Sequence, residues 1–322
     1  MDVVAVDIGG THARFAIARI ADGRVVSLEP PVTFRTAEHA SLQLAWQHFE
    51  REVGQPLPRA AAIAVASPIG GEVIKLTNNP WVIRPALINE RLQVDDHVLI
   101  NDFGAVGHAV AQLPDDQFLH LAGPDVPFPA TGVLTVCGPG TGLGVAQVLR
   151  TAQRYHILET EGGHMDYAPL DAIEDALLKH LRKAFTRVSV ERIVSGPGIV
   201  GIYETLADIE GKAIPRQDDT TIWTKALDGT DSLALAALDR FCLSLGAVAG
   251  DLALAHGANG VVIAGGLGLR LKDHFARSGF VERFVAKGRF QSRMAALPVK
   301  LIIHPQPGLF GAAAAFAQEH NQ

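Results

Sequence analysis

Cysteine is scarce in this chain of 322 residues. Cys137 and Cys242 are the whole supply, and both sit in apolar segments. That excludes a disulfide framework and favours two buried thiols in a reducing compartment. Apolar residues are plentiful at 48%, yet no run reaches the ~18 residues that a membrane span needs. The opening Met1-Asp2 passes straight into a β-branched run without the basic stretch of a secretory signal. A cytoplasmic location without a membrane partner is expected. Positive charge is also short: 28 Lys+Arg against 34 Asp+Glu give a formal charge of -6. A nucleic-acid partner, which demands a basic face, is therefore not expected.

Several motifs are missing as well. There is no Gly-x-x-x-x-Gly-Lys-Ser/Thr, which excludes a P-loop, and no Gly-x-Ser-x-Gly, so serine hydrolase chemistry lacks support. No His-Glu-x-x-His or cysteine cluster supports zinc. Fixed-period repeats, low-complexity tracts and long charge runs are absent. One formal Gly-x-Gly-x-x-Gly occurs at Gly196-Pro197-Gly198-Ile199-Val200-Gly201. It follows only a short apolar run, and no second strand appears before the polar residues 216–220, so a dinucleotide site is rejected.

What is present begins at the first residues. The run Val3-Val4-Ala5-Val6-Asp7-Ile8 reads as a buried strand, Gly9-Gly10-Thr11 as a turn, and Phe15 and Ile17 alternate at the period of a second strand. No helix follows these glycines, which again separates the turn from a dinucleotide fold. A glycine hairpin with a carboxylate at the strand's end suits phosphate plus a metal ion, although Asp7 as a plain turn cap is the competing reading. Two later stretches share this character: residues 133–146, with Gly138-Pro139-Gly140-Thr141-Gly142-Leu143-Gly144, and residues 260–268, with Gly265-Gly266. Three strand-to-glycine turns suggest one nucleotide held from several sides. Four glycines in seven residues are costly in chain entropy, and plain tight turns explain one or two of them.

The length allows two domains. Thr36 is placed to cap a helix through Leu42, Leu44, Trp46 and Phe49 that ends near Gly54. Residues 60–66 read as a strand, 73–76 as another, and 77–81 as a polar turn. Residues 97–100 form a strand ending at Asn101-Asp102, followed by a small-residue helix over 103–113. The alternation predicts an α/β layer structure with a mixed sheet. Residues 114–132 carry prolines and glycines, which places a hinge or domain boundary there. Beyond it lie a helix from Asp171, a long helix over 232–256 capped by Thr230 or Asp231, a strand over 299–304 and an alanine-rich helix over 309–318, compact enough to pack back on the first domain.

A carboxylate at the end of an apolar strand sits where α/β sheets place functional groups. Asp102 is thus either the N-cap of the following helix or, with Asn101, a group that orients and deprotonates an alcohol. Glu161-Gly162-Gly163-His164 presents two polar side chains, for which hydrogen bonding to a ligand is preferred over a zinc site with Asp166. Glu191 reads locally as a partner of Arg192 or a helix cap. Together Asn101, Asp102, Glu161, His164 and Glu191 bring amide, imidazole and carboxylate groups with no cation apart from Arg192. Such a set suits neutral hydroxyls and repels an acidic substrate, which points to a sugar.

Seven motifs, Asp7-Ile8-Gly9-Gly10-Thr11, Leu76-Thr77-Asn78-Asn79-Pro80-Trp81, Ile100-Asn101-Asp102-Phe103, Gly138 to Gly144, Glu161-Gly162-Gly163-His164, Ser195-Gly196-Pro197-Gly198 and Ala264-Gly265-Gly266, stand in an order that resembles bacterial glucokinases of the proteobacterial type, over essentially the whole chain. The resemblance implies a two-lobed actin-like ATPase fold, ribonuclease H-like, with ATP between a small α/β domain (1–112 plus 303–322) and a larger α+β domain (113–302). It implies Asp102 as base on a sugar's 6-hydroxyl, with Asn101, Glu161, His164 and Glu191 on the other hydroxyls. Val6, Asp7, Ile8, Gly9, Gly10, Thr11, Gly138, Gly140, Thr141, Gly142, Gly265 and Gly266 would surround ATP, and Asp7 would hold Mg²⁺ through water. It further implies glucose as substrate and a homodimer. His12 stands where Asn is frequent in the family, and Thr160 where Gly is. Another neutral hexose or amino sugar, or a non-catalytic sugar sensor, are the alternatives. The sensor is disfavoured by the intact Asp102 and by the lack of a basic helix-turn-helix extension before residue 1.

Overall fold

The computed structural model describes residues 1–76 and 79–320. Thr77 and Asn78, from the polar turn expected before Trp81, lie outside the described residues. The chain forms two units. The first comprises Met1–Pro114, Ile157–Glu159 and His304–Gln322, and the second Asp115–His156 and Thr160–Ile303.

In the first unit, strands β1 (Asp2–Ile8) and β2 (His12–Ala21) make the expected hairpin, with Ile8 opposite Ala13. Strands β3 (Arg24–Leu28) and β4 (Val32–Arg35) both pair with β2. Strand β5 (Ala60–Val65) runs parallel to β1, β6 (Ile74–Lys75) and β7 (Val82–Ile83) form a separate ribbon, and β8 (Asp96–Asn101) runs parallel to β5. The sheet order is β3-β2-β1-β5-β8. Val4, Val6 and Ile8 bury on one face and Val3 and Ala5 on the other. This is why β1 reads as a continuous apolar run instead of an alternating one.

One face is covered by helix α1 (Leu42–Val53), whose Leu42, Ala45, Trp46 and Phe49 recur at helical spacing and are buried. Each large side chain there contributes roughly 1.5–3 kcal/mol. The helix starts one turn later than expected. Ser41, not Thr36, is the N-cap, its hydroxyl accepting the Leu44 N–H, and Gly54 ends the helix at φ 70. Thr36 instead opens a short 3₁₀ turn, Thr36–Glu38. Helix α2 (Ile88–Leu92) completes this layer. The other face is covered by α3 (Asp102–Gln112) and by the C-terminal helix (Pro307–Glu319). Their small residues, Ala105, Ala109, Ala312 and Ala313, let the two backbones approach closely, with Leu309 and Phe316 buried beside them.

The second unit repeats the plan. Strands β9 (Phe118–Ala122), β10 (Gly132–Pro139), β11 (Leu143–Arg150), β12 (Tyr155–Thr160), β13 (Gly260–Ile263) and β14 (Val299–Ile302) take the order β12-β11-β10-β13-β14-β9. Again an antiparallel hairpin, β10–β11, adjoins two parallel strands, β13 and β14. Strand β9 lies inside the segment expected as a hinge; its ladder with β14 pairs four residues across a bulge, a pattern that the flanking prolines and glycines obscure in the sequence.

Helices α4 (Ala172–Leu181), α5 (Gly198–Ile209), α6 (Asp219–Asp228) and α7 (Ser232–Ala255) form the second unit's main core. The N-cap of α4 is Asp171 and that of α7 is Asp231. Contrary to the reading that no stretch is apolar enough, α7 has the length and mean hydropathy, 1.5, of a membrane span. Its apolar window is 72% buried among the other helices, as expected for a core helix with apolar residues all round. The third glycine stretch also departs from the first two: after β13 it opens a six-residue helix, α8 (Gly265–Arg270), and does not turn back into a strand.

Candidate active site

Four hydrogen bonds shape the first glycine turn. The Gly9 N–H donates to His12 O at 2.9 Å, closing the hairpin. Gly9 O accepts from Asn79 Nδ2 at 3.0 Å and Gly10 O from the Thr36 hydroxyl at 3.0 Å. Thr11 O accepts the Thr36 N–H at 3.0 Å. With its carbonyls tied down, the turn leaves the N–H groups of Gly10 and Thr11 without acceptors among the described residues. Bare N–H groups converging in a turn make a cradle for an anion. Asn79 is itself fixed, its Oδ1 accepting the Trp81 N–H at 2.9 Å, and the Trp81 indole N–H donates to His39 O at 2.7 Å. His12 supplies only backbone to this closure, and its side chain is exposed.

Asp7 precedes the turn. Its carboxylate receives Arg14 Nη1 at 3.2 Å, and burial pushes its pKa up against the opposing pull of Arg14. Val6 and Ile8, its neighbours, are buried core residues and contribute only backbone.

Asn101 and Asp102 stand at the carboxyl end of β8. The N-cap of α3 is Asn101, whose Oδ1 accepts from Phe103 N at 2.8 Å and Gly104 N at 3.2 Å, while Nδ2 donates to Ser67 O at 3.3 Å. Asp102 is therefore the first residue of the helix and not its cap. It accepts the Phe103 N–H at 2.9 Å through Oδ1. Burial, with the like charges of Asp7 and Glu159, raises its pKa to about 6.

In the second unit, the β10–β11 turn is held by backbone. Gly140 N–H donates to Gly142 O at 2.8 Å, and Gly196 N–H donates to Gly140 O at 2.7 Å. This ties the Gly138–Gly142 turn to the Ser195-Gly196-Pro197-Gly198 loop. Gly198 does open α5, but a 3₁₀ turn (Val190–Arg192) precedes that loop where a dinucleotide fold has a strand. Gly265 lies against the same turn at φ 83, and a Cβ there would fall 2.6 Å from Pro139 O. Gly266 follows in the first turn of α8.

Glu191 does not pair with Arg192. Its Oε2 accepts the Leu143 N–H at 2.8 Å, and a Cβ on Gly142 would fall 2.5 Å from the same oxygen. Arg192 instead lies over the Phe185 ring at 4.1 Å. Glu161 and His164 approach to 3.9 Å and are both exposed. Their turn is fastened by Arg187, which donates to His164 O at 2.7 Å and Asp166 at 2.6 Å. Thr160 donates to Val145 O at 3.2 Å. A cavity of about 430 Å³ is lined by Thr141, Glu191, Ser195, Gly198, Lys183 and His180, among others.

The first unit thus gathers Asp7, Gly9, Gly10, Thr11, Asn101 and Asp102, and the second gathers Gly138, Gly140, Thr141, Gly142, Glu161, His164, Glu191, Gly265 and Gly266. Thr36, Glu159 and Arg187 were missed as supports of these groups, because each acts across a distance that no local pattern records. A metal fits only in part on protein atoms. No group of three His, Cys, Asp or Glu side chains converges among the described residues, but one half-buried carboxylate, Asp7, beside a phosphate cradle suits Mg²⁺, which keeps waters and shares phosphate oxygens.

A mixed α/β fold in two units with two such glycine hairpins is that of sugar kinases. A glucokinase family model matches residues 4–319. The glucokinase of Zymomonas mobilis subsp. mobilis is 62% identical over 322 residues, covering 100% of this chain and 99% of the relative. The crystal structure of a glucokinase from an Antarctic psychrotroph is similar at TM-score 0.87 and 36% identity, covering 100% of this chain and 99% of that one. A glucokinase from Balamuthia mandrillaris, solved with glucose, shares the fold at TM-score 0.80 and 21% identity, covering 99% and 93%. The chain belongs to the glucokinase family.

Proposed function

We propose that the chain transfers the γ-phosphoryl group of ATP to the 6-hydroxyl of glucose, with Asp102 as general base. The observation that carries the base assignment is the division of labour at the end of β8. Asn101 takes the capping role, so the half-buried Asp102 carboxylate, poised near pH 6, is left for proton transfer. In this step Asp102 accepts the proton of the sugar hydroxyl. The oxygen then bonds to the γ-phosphorus as the bond to the β-phosphate oxygen breaks, giving glucose 6-phosphate and ADP.

Asn101, Glu161, His164 and Glu191 bind the remaining hydroxyls, and Asn101 keeps a second amide N–H for this. The turns at Val6 to Thr11, at Gly138 to Gly142 and at Gly265-Gly266 bind ATP, the first through the N–H groups of Gly10 and Thr11. Asp7, held by Arg14, would hold Mg²⁺ through water, and the ion would supply neutralisation of the phosphate charge. The hairpin-plus-parallel-strand plan shared by both sheets supports a ribonuclease H-like, actin-type fold, with domains of residues 1–112 plus 303–322 and 113–302. A homodimer in the cytoplasm completes the reading.

The test is a coupled assay with ATP, Mg²⁺ and a hexose panel. Glucose is expected to give the highest kcat/KM. A clearly higher value for mannose, fructose or glucosamine would replace the substrate, and sugar binding without ADP production would replace catalysis by sensing.

A further inference from the structure

Glu159 has no place in the mechanism above, yet it stands against the residues that carry it. It lies near the end of β12 but groups with the first unit, where its Oε1 accepts the Asn101 N–H at 3.3 Å. The same oxygen occupies the space over the first turn of α3. A Cβ on Gly104 would lie 2.0 Å from it and 2.9 Å from the carboxylate carbon. The side chain is thus seated on the junction at which β8 becomes α3, against Asn101 before Asp102 and Gly104 two residues after it.

We infer that Glu159 is a positioning residue of the phosphoryl-acceptor site, holding the Asn101-Asp102 junction through the Asn101 N–H and seated in the space that Gly104 leaves open. The inference rests on the assignment of Asp102 as base. Two effects follow. The hydrogen bond fixes the last residue of β8, from which Asn101 caps the helix and Asp102 projects. The second is electrostatic: one carboxylate beside another disfavours ionisation of both, and the solvent-facing Glu159 adds, as the smallest contribution, to the effect of Asp7 in raising Asp102. The groups acting on Asp102 are accounted for on each side. Asp7 comes from β1, paired with Arg14 of β2, and Glu159 from β12. The C-terminal helix packed on α3 carries no charged residue between Pro307 and Gln318. Glu159 itself is raised by burial and lowered by the Asn101 N–H.

The experiment combines five variants with pH profiles of kcat/KM on glucose and ATP, after thermal melting establishes that each is folded. Glu159→Gln keeps the acceptor and the volume but removes the charge, so the acidic limb is expected to move down by a few tenths of a pH unit. Glu159→Ala removes both, and kcat is expected to fall about tenfold with a smaller change in the KM for glucose. Gly104→Ala drives the carboxylate from its seat and is expected to reproduce that loss, with the double variant no worse than either single one. An acidic limb unmoved in Glu159→Gln, or losses that multiply in the double variant, would overturn the inference. Asp102→Asn separates the layers. A near-normal rate for it removes the base assignment and the inference together, whereas an inactive Asp102→Asn beside wild-type behaviour of all Glu159 variants removes the inference alone.

Discussion

The two glycine hairpins are built alike and secured differently. Both join an antiparallel pair to a parallel strand, β1–β2 to β5 and β10–β11 to β13. The β1–β2 turn is pinned by side chains, Thr36 and Asn79, and is preceded by a carboxylate, Asp7. The β10–β11 turn is pinned by backbone bonds from Gly140 and Gly196, with Glu191 the one side chain on it. The first turn is thus adjustable by side-chain chemistry and charge, whereas the second is set by backbone, with Gly265 the position where an added Cβ would meet a main-chain atom, Pro139 O. The same topology serves a turn pinned by side chains in one unit and a backbone-tied turn edged by Glu191 in the other.

Removing the titratable group sharpens this contrast most. Asp102→Asn is expected to lower kcat by about 10³ or more, since base help and alignment are lost together. It is also expected to stabilise the protein. A carboxyl group whose pKa rises from 3.8 to about 6 on folding contributes stability that is full below about pH 4 and lost as pH rises through about 6. Asparagine mimics the protonated form, so the gain at pH 7 is about 2–3 kcal/mol, read as a higher Tm at neutral pH and little change at pH 4. An inactive variant that is no more stable would mean that Asp102 is not ionised at a cost in the native state.

Next come the glycines of the second turn. Gly265→Ala is strained at φ 83 and meets Pro139 O, a backbone atom that cannot step aside. A loss of stability of about 1–3 kcal/mol and a higher KM for ATP are expected from melting and initial rates. Gly142→Ala meets only the end of the Glu191 side chain, so the fold should survive while the KM for glucose rises about tenfold as that carboxylate is displaced. If both variants behaved as wild type, the second turn would not be the rigid one. The smallest effect is expected at the first turn. Thr36→Val removes the hydroxyl bond to Gly10 O but keeps the backbone bond to Thr11 O, for a cost near 1 kcal/mol and a several-fold rise in the KM for ATP that Thr36→Ser restores.

Much of this was legible in the sequence because the informative signals were local. Strand β1, its turn and β2 are written in adjacent residues, and the apolar periodicity of α1 follows from Leu42, Trp46 and Phe49. Thr36 misled because a threonine ahead of an apolar run has the same local appearance whether it caps a helix or, as here, bonds to a turn 26 residues earlier. Asp102 was ambiguous for a related reason: two adjacent residues, Asn101 and Asp102, are both good caps, and only backbone geometry assigns the role. Glu191 looked committed to Arg192 by adjacency, yet its partner is 48 residues away. Membership of the glucokinase family was legible through motif order alone, while the supports of those motifs, Thr36, Glu159 and Arg187, were not.

The C-terminal helix has a consequence for how the protein is made. Residues 307–319 complete the face of the first sheet that α3 covers only in part, so residues 1–306 are all synthesised before that layer can form. The second unit, contained between residues 115 and 303, is fully synthesised by then and is free to fold first. The β8–α3 junction that carries Asp102 is among the early parts of the chain to be made and among the last to be enclosed. A nascent chain arrested before residue 307 should therefore hold a protease-resistant second unit and a cleavable first one.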